Sequence, residues 1–180
     1  MKATGIVRRI DDLGRIVIPK EIRRTMRIRE GDPMEIFTSR EGEILLKKYS
    51  PVGELSEFAV ALAESMAQTI GELVCVTDRD YVIAASGTGK KNYDGKTLER
   101  EFQIAIDNRC SQTMLESATI RVVEGDKGEY ESQTIATIIS HGDSIGAVVI
   151  LSHETEKTKT ESYLQLAKTM AGFLGKHMEQ

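Results

Sequence analysis

An α+β fold in two parts is predicted for this 180-residue chain. Three observations predict it. Charge is segregated between the first fifty residues and the rest. The first fifty alternate short apolar runs with turn residues around one short helix. The remainder sets strand-like runs between two amphipathic helices. Residues 1–50 hold twelve Lys or Arg against eight Asp or Glu, a net of +4, whereas the other 130 hold twelve against twenty, a net of −8. Between Ile6 and Arg29 eight basic residues face three acids. Such segregation points to one part that meets a polyanion and another that does not.

The elements of the basic part follow in order. GIVRRI and RIVIP are apolar enough for strands, and Asp11-Asp12-Leu13-Gly14 is a turn sequence between them. With Asp12 and Leu13 at the tip, Ile10 lies across from Arg15, and Arg8 projects from the same face as Arg15. Arg9 has the opposite parity. Pro19 starts a helix, and Gly31 with Asp32-Pro33 stops it. Ile22 and Met26 share one side of that helix, while Lys20, Arg23, Arg24 and Arg27 fall within an arc of roughly 100° on the other. Arg29 lies on the Ile22 side as an end-of-helix charge. PMEIFTS and EILLKK then flank Arg40-Glu41-Gly42 as a second hairpin, with Lys47 and Lys48 keeping a strand edge soluble.

Fifty residues hide too little apolar surface to stand alone, and neither a disulfide framework nor a metal motif supports them. RIVIP is apolar on both of its faces, as a doubly covered strand would be. A second copy of the module is therefore expected to complete it. The resulting dimer doubles the arginines and suits a pseudo-symmetric site on double-stranded DNA. No helix has the pattern of a helix-turn-helix, so readout is expected to lean on the DNA backbone and on DNA shape.

The run from Gly5 to Phe37 closely resembles the AbrB-type swapped-hairpin DNA-binding domain of bacterial transition-state regulators. The D-x-L-G-R-[IV]-x-[IV]-P-x-E-[IL]-R pattern that carries the resemblance runs here from Asp11 to Arg23. The resemblance implies an interleaved, β-rich dimer whose hairpins and helices present arginines to DNA. It assigns contact to Arg8, Arg15, Arg23 and Arg24, which the face assignments above also leave outward. Lys20, Arg27 and Arg9 are candidate additional phosphate contacts. The whole chain resembles regulators of sporulation genes in endospore-forming bacteria, which implies a GAF-like C-terminal domain. It also implies that the flanking helices bundle between protomers, pairing dimers into a tetramer.

Residues 51–55, opening with Pro51-Val52-Gly53, read as a linker, so the domains are placed at 1–50 and 56–180. Leu55, Ala59, Leu62, Met66 and Ile70 recur at helical spacing, with Phe58 and Ala63 widening the stripe. At the other end Tyr163, Leu166, Ala167, Met170, Leu174 and His177 do the same, widened by Phe173 and Met178. Between them LVCVT, YVIAAS, ATIRVV, QTIATIIS and SIGAVVILS read as strands, and LEREFQIAI as a helix. A mixed sheet with helices at both ends fits a sensor or oligomerisation domain, with room for a small-molecule ligand.

Catalytic and cofactor chemistry find little support. Ser86-Gly87-Thr88-Gly89-Lys90-Lys91 is not a phosphate-binding P-loop, which needs Gly where Ala84 stands and Ser or Thr where Lys91 stands. Cys75 reads as a buried apolar residue, whereas Arg109 beside Cys110 offers a charge that lowers a thiol pKa. His141, His153 and His177 form no metal pair. No catalytic residue, cofactor or metal is expected. Two cysteines, no signal peptide and no long apolar run indicate a cytoplasmic protein away from the membrane. Two other readings stay open: an antitoxin, whose DNA-binding head carries a toxin-binding tail, and a GAF-fold enzyme that uses Cys110.

Overall fold

The computed structural model describes residues 5–179. It divides into two units, Met1–Tyr49 and Ser50–Gln180.

In the first unit, α1 (Lys20–Thr25) follows Pro19, and β1 (Met34–Thr38) pairs antiparallel with β2 (Ile44–Lys48), Ile36 lying across from Leu46. The expected strands at 6–10 and 15–19 form a turn but no ladder. Within it Asp11 N–H donates to the Arg15 carbonyl at 3.0 Å and Gly14 N–H to the Asp11 carbonyl at 3.1 Å. Gly14, at φ +76°, makes this a three-residue loop, so Asp11 rather than Ile10 opposes Arg15. The register thus differs by one residue from the expected one. Helix α1 is also shorter than expected. Arg27 takes φ +54°, and Ile28 N–H turns back to the Arg23 carbonyl at 2.8 Å, the bond of a Schellman stop. This stop frees Ile28 to join an apolar hollow of about 290 Å³ with Ile18, Ile22, Met34 and Leu46. Much of the unit's apolar surface remains uncovered: Val7 is 89% exposed, Val17 72% and Ile36 66%.

The second unit has the reverse character. Residues 51–55, expected as linker, hold helix α2 (Pro51–Glu54), because Ser50 Oγ caps it through Gly53 N–H and Val52 is buried in the core. Helix α3 (Ser56–Ile70) leads to β3 (Leu73–Thr77) and β4 (Val82–Ser86). Helix α4 (Arg100–Asp107) precedes β5 (Ser111–Leu115), β6 (Ser132–Ser140) and β7 (Asp143–Ser152), and α5 (Lys157–His177) closes the unit. The five strands lie in the order β4-β3-β7-β6-β5. The sheet, expected to be mixed, is antiparallel at every neighbouring pair, since β3–β4 and β6–β7 are tight hairpins and the longer excursion before β5 returns it beside β6 in the same sense.

Helices α3 and α5 cover one sheet face, burying Ala59, Ala63, Met66, Ala167 and Leu174 against Val74, Val76, Ile138 and Val148. Gly175 lets α5 touch β6: a Cβ there would stand 2.0 Å from the Ile139 carbonyl oxygen. Helix α4 and the long loop after β5 cover the other face, where Phe102, Ile106, Val122 and Tyr130 meet Cys75, Ile135 and Val149. The run ATIRVV, read as a strand, lies in that loop and keeps only the single bridge Leu98–Val123. Asp126 organises the loop instead, accepting from Val122 and Gly128 N–H at 3.0 Å and from the Tyr93 and Tyr130 hydroxyls at 3.0 and 3.1 Å. Burial and the adjacent Asp126 carboxylate push both phenols well above their usual range. No helix among the described residues is long and apolar enough to cross a membrane.

Candidate nucleic-acid interface

The sequence-predicted basic residues all lie in the first unit, and the structure treats them unequally. Arg8 and Arg9 are exposed on the segment before the turn, with Arg8 also lining the apolar hollow. Arg15 is exposed directly after the turn. Helix α1 carries Lys20, Arg23 and Arg24, all exposed, as its 3.6-residue period requires. Among the described residues no ion pair engages Arg8, Arg9, Arg23 or Arg24. These guanidinium groups thus keep their donors for an external acceptor.

Arg27 departs from the expected stripe. It lies beyond α1 in the left-handed conformation and is half-buried, and its carbonyl accepts from Lys48 Nζ at 3.1 Å. Lys48, expected to solubilise an edge, is an internal tie. Its Nζ lies 2.8 Å from an Asp32 carboxylate that is almost fully buried. The same carboxylate oxygen accepts from Arg29 N–H at 2.8 Å. Arg29 therefore sits past the helix end, on a loop nailed down by Asp32.

Arg15 differs from the other arginines. Its Nε lies 2.7 Å from Asp11 Oδ2, while Asp11 Oδ1 accepts from Leu13 N–H at 3.0 Å and Arg15 N–H at 2.7 Å. Hydrogen bonds from Arg15 hold the Asp11 carboxyl below its ordinary value. Sequence reasoning placed Asp11 in the turn but gave it no role toward Arg15. The signal was present as Asp11-x-x-Gly14: an acceptor side chain opening a loop, with glycine at its left-handed position.

Residues 54–179 match the family model described as stage V sporulation protein T C-terminal, transcription factor. The chain belongs to the stage V sporulation protein T family. Stage V sporulation protein T of Bacillus subtilis (strain 168) is 49% identical over 180 residues, spanning 100% of both chains. Residues 7–54 match the MazE antidote-toxin recognition family of bacterial antitoxins. The transition state regulatory protein AbrB of the same organism is 51% identical over 69 residues, 35% of this chain and 71% of AbrB. The second unit has the GAF fold. It superposes on the cofactor-binding GAF domain of the nutrient sensor CodY from Clostridium difficile with a TM-score of 0.51 at 14% identity, over 66% of this chain and 82% of that one. The stage V sporulation protein T match from residue 54 onward sets the chain among transcription factors rather than with antitoxins that share only its head.

The cysteine chemistry weighed for the second unit does not gain from its surroundings. Burial pushes the Cys110 thiol up, and the neighbouring Arg109 guanidinium donates to the Gly142 carbonyl. The charge expected to lower that thiol is directed elsewhere. Among the described residues no group of three or more His, Cys, Asp or Glu is placed to hold a metal ion.

Proposed function

We propose that this chain regulates transcription of sporulation genes by binding duplex DNA through paired N-terminal units, with Arg8, Arg15, Arg23 and Arg24 as the contacts. Lys20, Arg9 and Arg27 serve as secondary phosphate contacts, Arg27 the weakest of them because its side chain is half-buried. The observation that carries this reading is the coincidence, in one small unit, of exposed arginines, all but Arg15 without an ion pair among the described residues, and an uncovered apolar face. The apolar face needs a second copy, in which the segments 6–10 and 15–19 gain the strand partners they lack within one protomer. Pairing brings eight arginines to one duplex.

In the second unit α3 and α5 expose a stacked cluster, with the Phe58 ring centroid 5.5 Å from those of Phe173 and His177. Phe58 and Phe173 stay 39% and 46% exposed, a surface suited to association of two dimers into a tetramer. In this reading the acidic second unit stays off the polyanion and sets the oligomeric state, with or without a small-molecule ligand.

Salt dependence of DNA binding tests the reading. Each phosphate contact contributes about 0.9 to the slope of log affinity against log salt, so Arg23→Ala/Arg24→Ala, which removes four contacts from a dimer, lowers that slope by about 3.6. Fluorescence anisotropy with the full chain measures it. A slope equal to that of the wild type places the DNA-binding face elsewhere.

A further inference from the structure

The two hairpin loops of the first unit are built to one plan. Asp11 N–H donates to the Arg15 carbonyl as Ser39 N–H donates to the Glu43 carbonyl, both at 3.0 Å. Gly14 N–H returns to the Asp11 carbonyl and Gly42 N–H to the Ser39 carbonyl, with both glycines at positive φ. Asp11 Oδ1 accepts from Leu13 and Arg15 N–H, and Ser39 Oγ accepts from Glu41 and Glu43 N–H. An uncharged hydroxyl thus does for the second loop everything that the carboxylate does for the backbone of the first. The charge at position 11, and its second oxygen, are not required by the turn.

That second oxygen engages Arg15 Nε at 2.7 Å, with the Arg15 side chain otherwise 70% exposed. A carboxylate among DNA-facing arginines repels phosphate, so it lowers affinity for any duplex. An exposed pair of this kind adds little to stability. Its remaining consequence is on selectivity. A guanidinium held by its Nε edge offers its two Nη groups in one direction, the fork that reads a guanine edge or a phosphate bidentately. It also has less freedom to lose on binding, and it is partly neutralised toward phosphates met at other angles.

We propose that Asp11 is a positioning residue that sets the selectivity of the DNA-binding face, trading affinity for any duplex against preference for the right one through its hold on Arg15. This rests on the reading of residues 8–24 as the DNA-binding face. The test uses the full chain and two duplexes: one selected by the wild type from a randomised pool, and a shuffled duplex of equal length and composition. Asp11→Ser copies the Ser39 loop, and Asp11→Asn keeps the Oδ1 acceptor for both backbone N–H donors, so only the charge and the second carboxylate oxygen are lost. Each variant is expected to bind the shuffled duplex more tightly than the wild type. The selected-to-shuffled affinity ratio should fall about tenfold, the scale of one bidentate contact. In an Arg15→Ala background the same substitutions should leave the ratio unchanged. A ratio within twofold of wild type in both variants overturns the proposal, as does an equal fall without Arg15. Absence of salt-dependent binding by the wild type overturns the DNA-binding reading itself, before Asp11 is altered.

Discussion

The two units solve the same problem in opposite ways. The second closes a five-stranded sheet between helices on one face and a helix with a tied loop on the other, so Val74, Val148, Phe102 and Ile135 are fully buried within one protomer. Among its described residues the first buries no large apolar side chain to that degree and leaves Val7, Val17, Ile36 and Ile44 largely open. Their charges diverge as well, +4 against −8. A unit of about fifty residues cannot both cover a core and offer a broad binding face. When a second copy supplies the cover, the remaining surface is available for arginines. A unit with its own complete core is free to be acidic and to carry an association surface.

The comparison can be sharpened from either side. The largest expected effect lies in the closed unit. Gly175→Val drives a side chain into the Ile139 carbonyl and lifts α5 from β6, destabilising the second unit by about 3 kcal/mol, the upper range for overpacking because the obstacle is backbone. Urea unfolding of the full chain reports it, and an unchanged midpoint would mean that α5 is not packed on β6 as described. A smaller effect concerns pH. Tyr93 and Tyr130 have folded-state values raised above those of the unfolded chain, so the stability they confer is complete below about pH 10 and is lost as pH rises beyond it. Tyr93→Phe/Tyr130→Phe should flatten the alkaline fall in thermal midpoint, and a fall as steep as in wild type would separate the Asp126 network from stability.

Much of this contrast was legible in the sequence. LVCVT and SIGAVVILS are short, β-branched, nearly continuous apolar runs that fit strands covered on both faces, and they became β3 and β7. The stripes of α3 and α5 followed their 3.6-residue period. What was not legible depended on partners distant in sequence. SQTML in β5 has no apolar alternation, being an edge strand held by backbone bonds to β6. ATIRVV looks like a strand because Val122 and Val123 are needed in the core, yet Asp126 binds the loop and keeps it from a ladder. In the candidate interface Arg8, Arg15, Arg23 and Arg24 were found outward as expected. Arg27 was not, because its left-handed stop ends the helix before the stripe reaches it. The Asp11–Arg15 pair escaped notice because its register depends on Gly14 adopting a positive φ, which a two-residue tip does not need.

Amide hydrogen exchange across residues 6–18 of the full chain tests most directly whether the first unit is half of a paired structure. Within one protomer residues 6–10 and 15–19 form no strand ladder, so a lone unit leaves the amides of 6–10 and 16–18, which lie outside the turn bonded to Asp11, to exchange at nearly the rate of an open chain. Pairing gives them partners. The account predicts strong protection in the wild type, lost together with DNA binding in Ile36→Asp while the amides of β3 and β7 stay protected. Rapid exchange at residues 6–10 and 16–18 in a wild-type protein that still binds DNA would contradict it.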